Sequence, residues 1–257
     1  VFPTFELYKN QFQLFAETIM TGGSLVYFSG DNYLNAITSG NLKEINKLPY
    51  HTPEHYIADE KTHLTAENQD IPLQIFGNHN LQNLAGAKWI CQHMGIDEDD
   101  FYEAIASFKG ASKRLEKIAE NSSTVIFKDF AHSPSKVAAT TKAVKEQYSS
   151  RTVVACLELH TYSSLNAAFL AEYKGALEFA DKAVVFYAPH AVKIKQLEEV
   201  TKEQIATAFE RDDLIIYTNP KEFKTFIFNL ELENKAILLM SSGNYGGLDF
   251  EEVKSLI

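Results

Sequence analysis

Asp129 and His132 stand three residues apart in Lys128-Asp129-Phe130-Ala131-His132, directly after an apolar run and directly before Ser133-Pro134. Three later apolar runs also end in polar clusters: Glu158-Leu159-His160-Thr161-Tyr162-Ser163-Ser164, Pro189-His190, and Ser241-Ser242-Gly243-Asn244-Tyr245-Gly246-Gly247. Any one of them reads as a solvated turn with capping Ser and Asn. Four together, carrying Asp, Glu and three His, read as a site. The glycines of the last cluster suit a turn, and they also let backbone N–H groups approach an anion. Asp129, His132, Glu158, His160 and His190 are a conceivable ligand set for a metal-dependent hydrolase, provided that they converge on one ion.

Two other groups stand earlier in the chain. His79, Asn80 and Asn83 have the spacing of neighbours on the first turns of a helix. Asn offers both a donor and an acceptor, as reading a heterocycle edge requires, although an N-cap with two exposed amides has the same pattern. Lys113, Arg114 and Glu116 follow Gly110. A guanidinium there could grip a phosphate with two hydrogen bonds, or the stretch could be a hinge kept soluble by charge.

The elements that must position these residues follow from pattern. Thr124 to Phe127 reads as a buried strand, and Ser133-Pro134 as a helix start with serine at the N-cap and proline at the first position. Val137, Thr141, Val144 and Tyr148 then form one stripe. Strands are expected at 124–128, 152–157, 183–187, 214–217 and 236–240. Helices are expected near 134–147, 164–180, 201–210, 220–230 and 249–256. Such alternation gives an α/β fold with a mostly parallel sheet covered on both faces, and the polar clusters then share the edge where ligand sites form. Earlier, the pattern predicts a helix at 5–20 closed by Gly22-Gly23, a strand at 24–28, and no clear period over 38–56. Short strands follow around His63 and Ile75. A helix opening at Gly77 carries the stripe Leu81, Leu84, Ala85, Ile90, Cys91 and Met94, and another starts at Asp97. The domain boundary falls at Gly110-Ala111, giving domains 1–110 and 111–257.

The 257 residues are 45% hydrophobic and 23% charged, as in a globular protein with a proper core. A net charge of −10 argues against nucleic acid or an anionic membrane surface as partner. Cys91 and Cys156 show no pairing pattern, which favours a reducing cytoplasm. The chain opens Val1-Phe2-Pro3-Thr4 and runs at once into a helical pattern, so it reads as the later part of a longer protein. No GxxxxGK[ST] loop, HExxH motif or paired CxxC motif occurs.

Together these stretches resemble the Mur ligases, the ATP-dependent amide-forming enzymes of peptidoglycan assembly. Gly77-Asn78-His79-Asn80 with Asn83 looks like the family's GxHNxxN helix start. Phe108 to Glu116 is similar to its F-x-G-x-x-R-R-x-E linker, and Asp129 to Pro134 to its D-[FY]-A-H-x-P turn. The resemblance covers essentially the whole chain. It implies a Rossmann-like C-terminal domain at 111–257, preceded by the tail of a central ATP-binding domain at 1–110. It also implies that ATP phosphorylates a muramyl carboxylate, that an amine attacks the acyl phosphate, and that phosphate leaves. Carried over by residue, Asn80 and Asn83 contact adenine beside His79, Arg114 holds phosphates, and Asp129 holds the ribose. His132 lies where the amine arrives. Glu158, His160, Ser242, Gly243 and Asn244 shape the peptide pocket.

Within the family, Met240 to Gly247 is similar to the S-N-G-G-F-G-G loop of the recycling ligase, which joins UDP-N-acetylmuramate to L-alanyl-γ-D-glutamyl-meso-diaminopimelate. Leu157 to Tyr162 partly resembles that enzyme's L-E-P-R-S segment. The L-alanine-adding ligase is the second choice, and a hydrolase or a non-catalytic nucleotide- or peptide-binding module the alternatives outside the family. Lys113, Lys128 and Ser133 depart from the family's common Arg, Asp and His. The family's UDP-binding domain and phosphate loop have no counterpart in these residues, nor do its Mg²⁺ ligands. No metal-ligating residue is therefore assigned here, and residues 1–257 alone are expected not to turn over ATP.

Overall fold

The computed structural model describes residues 2–40, 42, 44–66, 69–189 and 200–257. They form two compact units that meet in sequence at Phe108 and Lys109.

In the first unit, α1 (Phe5–Glu17) starts at Thr4, whose hydroxyl accepts from Leu7 N–H. It stops three residues short of the expected end, and the Thr18 hydroxyl donates to the Phe15 carbonyl, a local bond that competes with helix. β1 (Ser24–Phe28) leads to Asp31, which caps α2 (Asn32–Ser39). The stretch without a clear period contains β2 (Asn46–Tyr50), paired parallel with β1. β3 (His55–Ala58), β4 (Lys61–Ala66) and β5 (Gln69–Leu73) form an antiparallel meander. Asp59 and Glu60, both at positive φ, turn β3 into β4 in type I′ geometry without the usual glycine, so the hairpin had no sequence signal. His63 lies in β4, whereas Ile75 falls in the loop after β5.

α3 (Asn78–His93) and α4 (Glu98–Ser107) complete this unit. Leu81, Leu84, Phe101 and Tyr102 pack with Leu64, Ile71 and Leu73. The expected α3 stripe holds through Leu81, Leu84 and Cys91, which meet the core, and fails at two positions. Ile90 and Met94 remain exposed, while Gly86 is buried against Tyr50, where an added Cβ would sit 3.2 Å from the ring.

The second unit is built on β6 (Glu116–Glu120), β7 (Thr124–Asp129), β8 (Thr152–Glu158), β9 (Lys182–Phe186), β10 (Ile215–Tyr217) and β11 (Lys235–Met240). They form one sheet in the order β10-β9-β8-β11-β7-β6, parallel throughout except for the β6–β7 pair. β6 was not foreseen. Its sequence, Glu-Lys-Ile-Ala-Glu, suits an edge strand, where charge blocks further pairing. The inner strands are apolar along their length because both faces are covered, and Val125–Phe127, Val153–Leu157, Ala183–Phe186 and Ala236–Met240 are all buried. On one face α5 (Pro134–Gln147) packs through Val137, Thr141 and Val144. On the other, α8 (Pro220–Phe228) and α9 (Phe250–Lys254) contribute Phe223, Ile227 and Val253 to the core.

The helix expected over 164–180 is mostly absent. α6 (Ala167–Leu170) passes into a single 3₁₀ turn, Ala171–Tyr173, and the chain then reverses. Lys174 (φ −49°, ψ 123°) and Gly175 (φ +71°) make a type II turn, closed by Ala176 N–H to Tyr173 O at 2.9 Å. α7 (Lys202–Phe209), near the expected 201–210, opens with a capping box of Thr201 and Gln204. Among the described residues no helix is long and apolar enough to cross a membrane.

Gly246 has φ +71°, and a Cβ there would lie 2.6 Å from Pro220 Cγ. Gly246→Ala is expected to destabilise the protein by about 1–3 kcal/mol, from left-handed strain and overpacking together. Urea denaturation of the variant beside the parent chain checks this.

Candidate functional site

β11 lies between β7 and β8, so the sheet order reverses beside it and a crevice is expected at the carboxyl ends of these three strands. Ser241, the first residue after β11, ties the three ends together. Its N–H donates to the Asp129 carbonyl at 2.9 Å, and its hydroxyl donates to Glu158 Oε2. Thus Asp129, Glu158 and the glycine-rich loop, expected from sequence to share an edge, meet there.

Asp129 is only 5% exposed. Its Oδ2 accepts from Leu115 N–H and its Oδ1 from Ala131 N–H, both at 2.6 Å. The Phe130 N–H donates to the Lys113 carbonyl at 2.9 Å. Asp129 therefore fastens the Lys113–Leu115 turn, in which both end residues have positive φ, to the end of β7. The carboxylate supplies the anion that backbone N–H groups at such a turn require. Arg114 projects from that turn, exposed, with its guanidinium 5.7 Å from the centre of the Phe130 ring. Glu116 holds the same turn from the other side, accepting from Lys113 N–H at 2.8 Å and from the Ser112 hydroxyl at 3.2 Å.

His132 is half-buried, with Nδ1 2.8 Å from the Phe130 carbonyl. Its own carbonyl accepts from the Tyr173 hydroxyl. Tyr173 is fully buried, stacks on Phe209 at 5.1 Å, and has its hydroxyl pushed up to about 12 by burial. The segment after β8 thus clamps the His132 turn. Ser133 occupies the N-cap of α5, but its side chain makes no capping bond; Pro134 starts the helix through its fixed φ.

Glu158 is 3% exposed, and its Oε2 also accepts from Tyr245 N–H at 2.8 Å. His160 Nδ1 stands 3.6 Å from Glu158 Oε1. Gly243 N–H donates to Ser241 Oγ at 2.6 Å, and Asn244 is exposed. The Ser242 hydroxyl is buried with no hydrogen-bond partner among the described residues. Tyr245 is the residue that sequence reasoning missed. It is fully buried at φ 53°, stacked 4.7 Å from Phe223, with its hydroxyl 2.7 Å from the Cys156 carbonyl and 2.8 Å from that of Met240. Burial, with the charges of Glu158 and Asp129 adding to it, raises the hydroxyl well above the usual phenol range. The loop is therefore anchored rather than loose. A tyrosine among turn glycines gives no pattern from which this could be read.

In the first unit, His79, Asn80 and Asn83 all lie in the first two turns of α3. The helix begins at Gly77 (φ +84°) with no side-chain cap, and the Asn80 amide donates to the Phe76 carbonyl at 2.9 Å. His79 is half-buried and Asn83 exposed. Both Asn amides thus keep an acceptor oxygen, and Asn83 its donor as well, which fits a heterocycle edge. Among the described residues no group of three His, Cys, Asp or Glu side chains could hold a metal ion. The hydrolase ligand set therefore does not converge in its described members; His190 lies outside the described residues.

A mostly parallel sheet with its polar loops gathered at the strand order's reversal defines an open α/β domain, a fold class in which ligands bind at that edge. The family model for the Mur ligase glutamate ligase domain matches residues 113–243, and the chain belongs to the Mur ligase family. The UDP-N-acetylmuramate–L-alanine ligase of Caldicellulosiruptor bescii is 29% identical over 216 residues, which are 79% of this chain and 47% of that protein. The chain spans about half the length of the curated relatives it matches. Among solved structures, the murein peptide ligase of Psychrobacter arcticus superposes with a TM-score of 0.62 at 17% identity, over 96% of this chain and 54% of that one. The MurF ligase of Thermotoga maritima, solved in complex with ADP, gives 0.69 at 14% identity over 98% and 57%. These likenesses are of fold.

Proposed function

We propose that this chain forms the nucleotide-contacting helix and the amine-binding edge of an ATP-dependent amide ligase of peptidoglycan recycling. The ligase joins UDP-N-acetylmuramate to L-alanyl-γ-D-glutamyl-meso-diaminopimelate through an acyl phosphate. Residues 1–110 belong to the central ATP-binding domain in this reading, and residues 111–257 are the C-terminal domain. Its nucleotide substrates are cytoplasmic. The observation that supports it most is Ser241, at the end of the central strand, joining the Asp129 turn that carries Arg114 to the Glu158–His160 edge. Charge stabilisation and amine binding are then built on one rigid strand end.

ATP supplies the phosphoryl group that turns the muramyl carboxylate into a leaving-group ester. Asn80 and Asn83, beside His79, hydrogen-bond the adenine edge, and Asp129 borders the ribose while it fastens the turn. Arg114 grips phosphate oxygens, and Lys113 adds charge beside it. His132 lies at the face where the amine arrives. The anchored loop of Ser242, Gly243 and Asn244 lines the peptide pocket together with Glu158 and His160. Among the described residues no group of three His, Cys, Asp or Glu side chains could hold a metal ion, and none of these residues is assigned to Mg²⁺.

The L-alanine ligase is the second reading, favoured by the name of the Caldicellulosiruptor bescii relative. Phosphate release by the protein that carries this chain, with ATP, Mg²⁺ and UDP-N-acetylmuramate, separates them. Stimulation by the tripeptide alone is the expected result. Stimulation by L-alanine alone establishes the second reading, and silence with both, from a folded protein, removes both.

A further inference from the structure

Burying a carboxylate is costly unless its oxygens are matched, so a buried Glu at a strand end has a reason to be there. At Glu158, Oε2 is matched by the Ser241 hydroxyl and Tyr245 N–H. Oε1 faces His160 Nδ1 at 3.6 Å, longer than a hydrogen bond between neutral groups and within ion-pair range once the imidazole carries a second proton. The His160 side chain is 43% exposed, so one ring nitrogen faces the buried charge while the ring itself reaches the open edge. Gly243 keeps the pair close, since a Cβ there would lie 2.9 Å from Glu158 Oε2 and 3.1 Å from His160 Cγ.

His132 is arranged differently. Its Nδ1 faces the Phe130 carbonyl at 2.8 Å, which fixes the tautomer, but a neutral carbonyl offers no counter-charge to a protonated ring. Of the two described imidazoles at this edge, His160 is the one beside Glu158, a buried carboxylate whose own orientation is locked by the loop.

We infer that His160 is the base that takes the proton from the incoming amine, with Glu158 as the positioning residue that pairs with the imidazolium so formed. The inference rests on the amide-ligase reading above. An amine arrives as its ammonium and is no nucleophile until it loses a proton. With the Nδ1 hydrogen turned to Glu158, Nε2 is the acceptor. The ammonium proton passes to Nε2, and the freed lone pair forms the bond to the acyl carbon, which leaves a second proton to be shed from that nitrogen. The C–O bond to phosphate then breaks, its electron pair leaves on the phosphate, and the departing phosphate takes the second proton from the nitrogen as the amide forms. No further co-reactant is required.

The test separates the two halves of the reaction in the protein that carries this chain. Hydroxylamine is unprotonated at neutral pH and traps an acyl phosphate as a hydroxamate without help from a base. Wild-type protein with ATP, Mg²⁺ and UDP-N-acetylmuramate is expected to give hydroxamate with hydroxylamine, and amide with the tripeptide or L-alanine. In His160→Gln, amide formation is expected to fall about 100-fold or more while hydroxamate formation falls no more than about threefold. Glu158→Gln is expected to show the same partition with a smaller loss. Amide formation retained in His160→Gln overturns the inference, as does equal loss of both products, or the partition appearing in His132→Gln instead. If the wild type yields no hydroxamate at all, the ligase reading itself fails, and the inference with it.

Discussion

Replacing Arg114 by alanine is expected to lower ATP-dependent amide formation by about 10²–10³-fold, with the fold intact. The side chain is exposed and lies over the Phe130 ring, so little stability is at stake. Its backbone, by contrast, is held firmly. The residues on either side of it have positive φ, and the turn is fastened to the end of β7 by Leu115 N–H donating to Asp129 Oδ2 and by Phe130 N–H donating to the Lys113 carbonyl. A guanidinium on a fixed turn is aimed before the reaction begins, which is what charge stabilisation in a transition state needs. Arg114→Lys should recover only part of the rate, because an ammonium cannot make the paired planar contact. Initial rates of phosphate release, with thermal unfolding measured in parallel, check both variants. Unchanged turnover in Arg114→Ala would remove the phosphate role.

The second large effect is on stability. Tyr245→Ala is expected to cost about 3–5 kcal/mol, as for other buried aromatic side chains, and to abolish amide formation. The ring fills the space against Phe223 and Phe186, and its hydroxyl meets the Cys156 and Met240 carbonyls at the ends of two central strands. Tyr245→Phe keeps the ring and should cost only about 1–3 kcal/mol for the unmet carbonyls. Urea unfolding curves of the two variants distinguish loss of packing from loss of the hydrogen bonds. Equal costs would mean that the ring contributes little.

The parallel sheet was legible because its strands are buried on both faces and read as unbroken apolar runs, each ending in polar loop residues. The helix starts at Pro134, Thr201 and Pro220 were legible for local reasons, namely fixed φ and capping. What failed had non-local causes. β6 is a strand only because β7 offers it an edge. β2, half polar and containing Pro49, is a strand only beside β1. Residues 164–180 have helical composition, but Gly175 reverses the chain so that Tyr173 can reach the His132 carbonyl. Similarly, the candidate residues could be named from their types, whereas the engagement of Asp129 by the linker turn and of Glu158 by Ser241 and Tyr245 depends on strand order. Spacing along the chain does not carry that order.

The most direct test of the central claim follows an oxygen atom. UDP-N-acetylmuramate labelled with ¹⁸O in its carboxylate, turned over with ATP and the amine by the protein that carries this chain, should deliver one labelled oxygen to the released phosphate. That transfer is the signature of an acyl phosphate whose C–O bond breaks when the amine attacks. Amide formation with unlabelled phosphate would contradict the proposed chemistry.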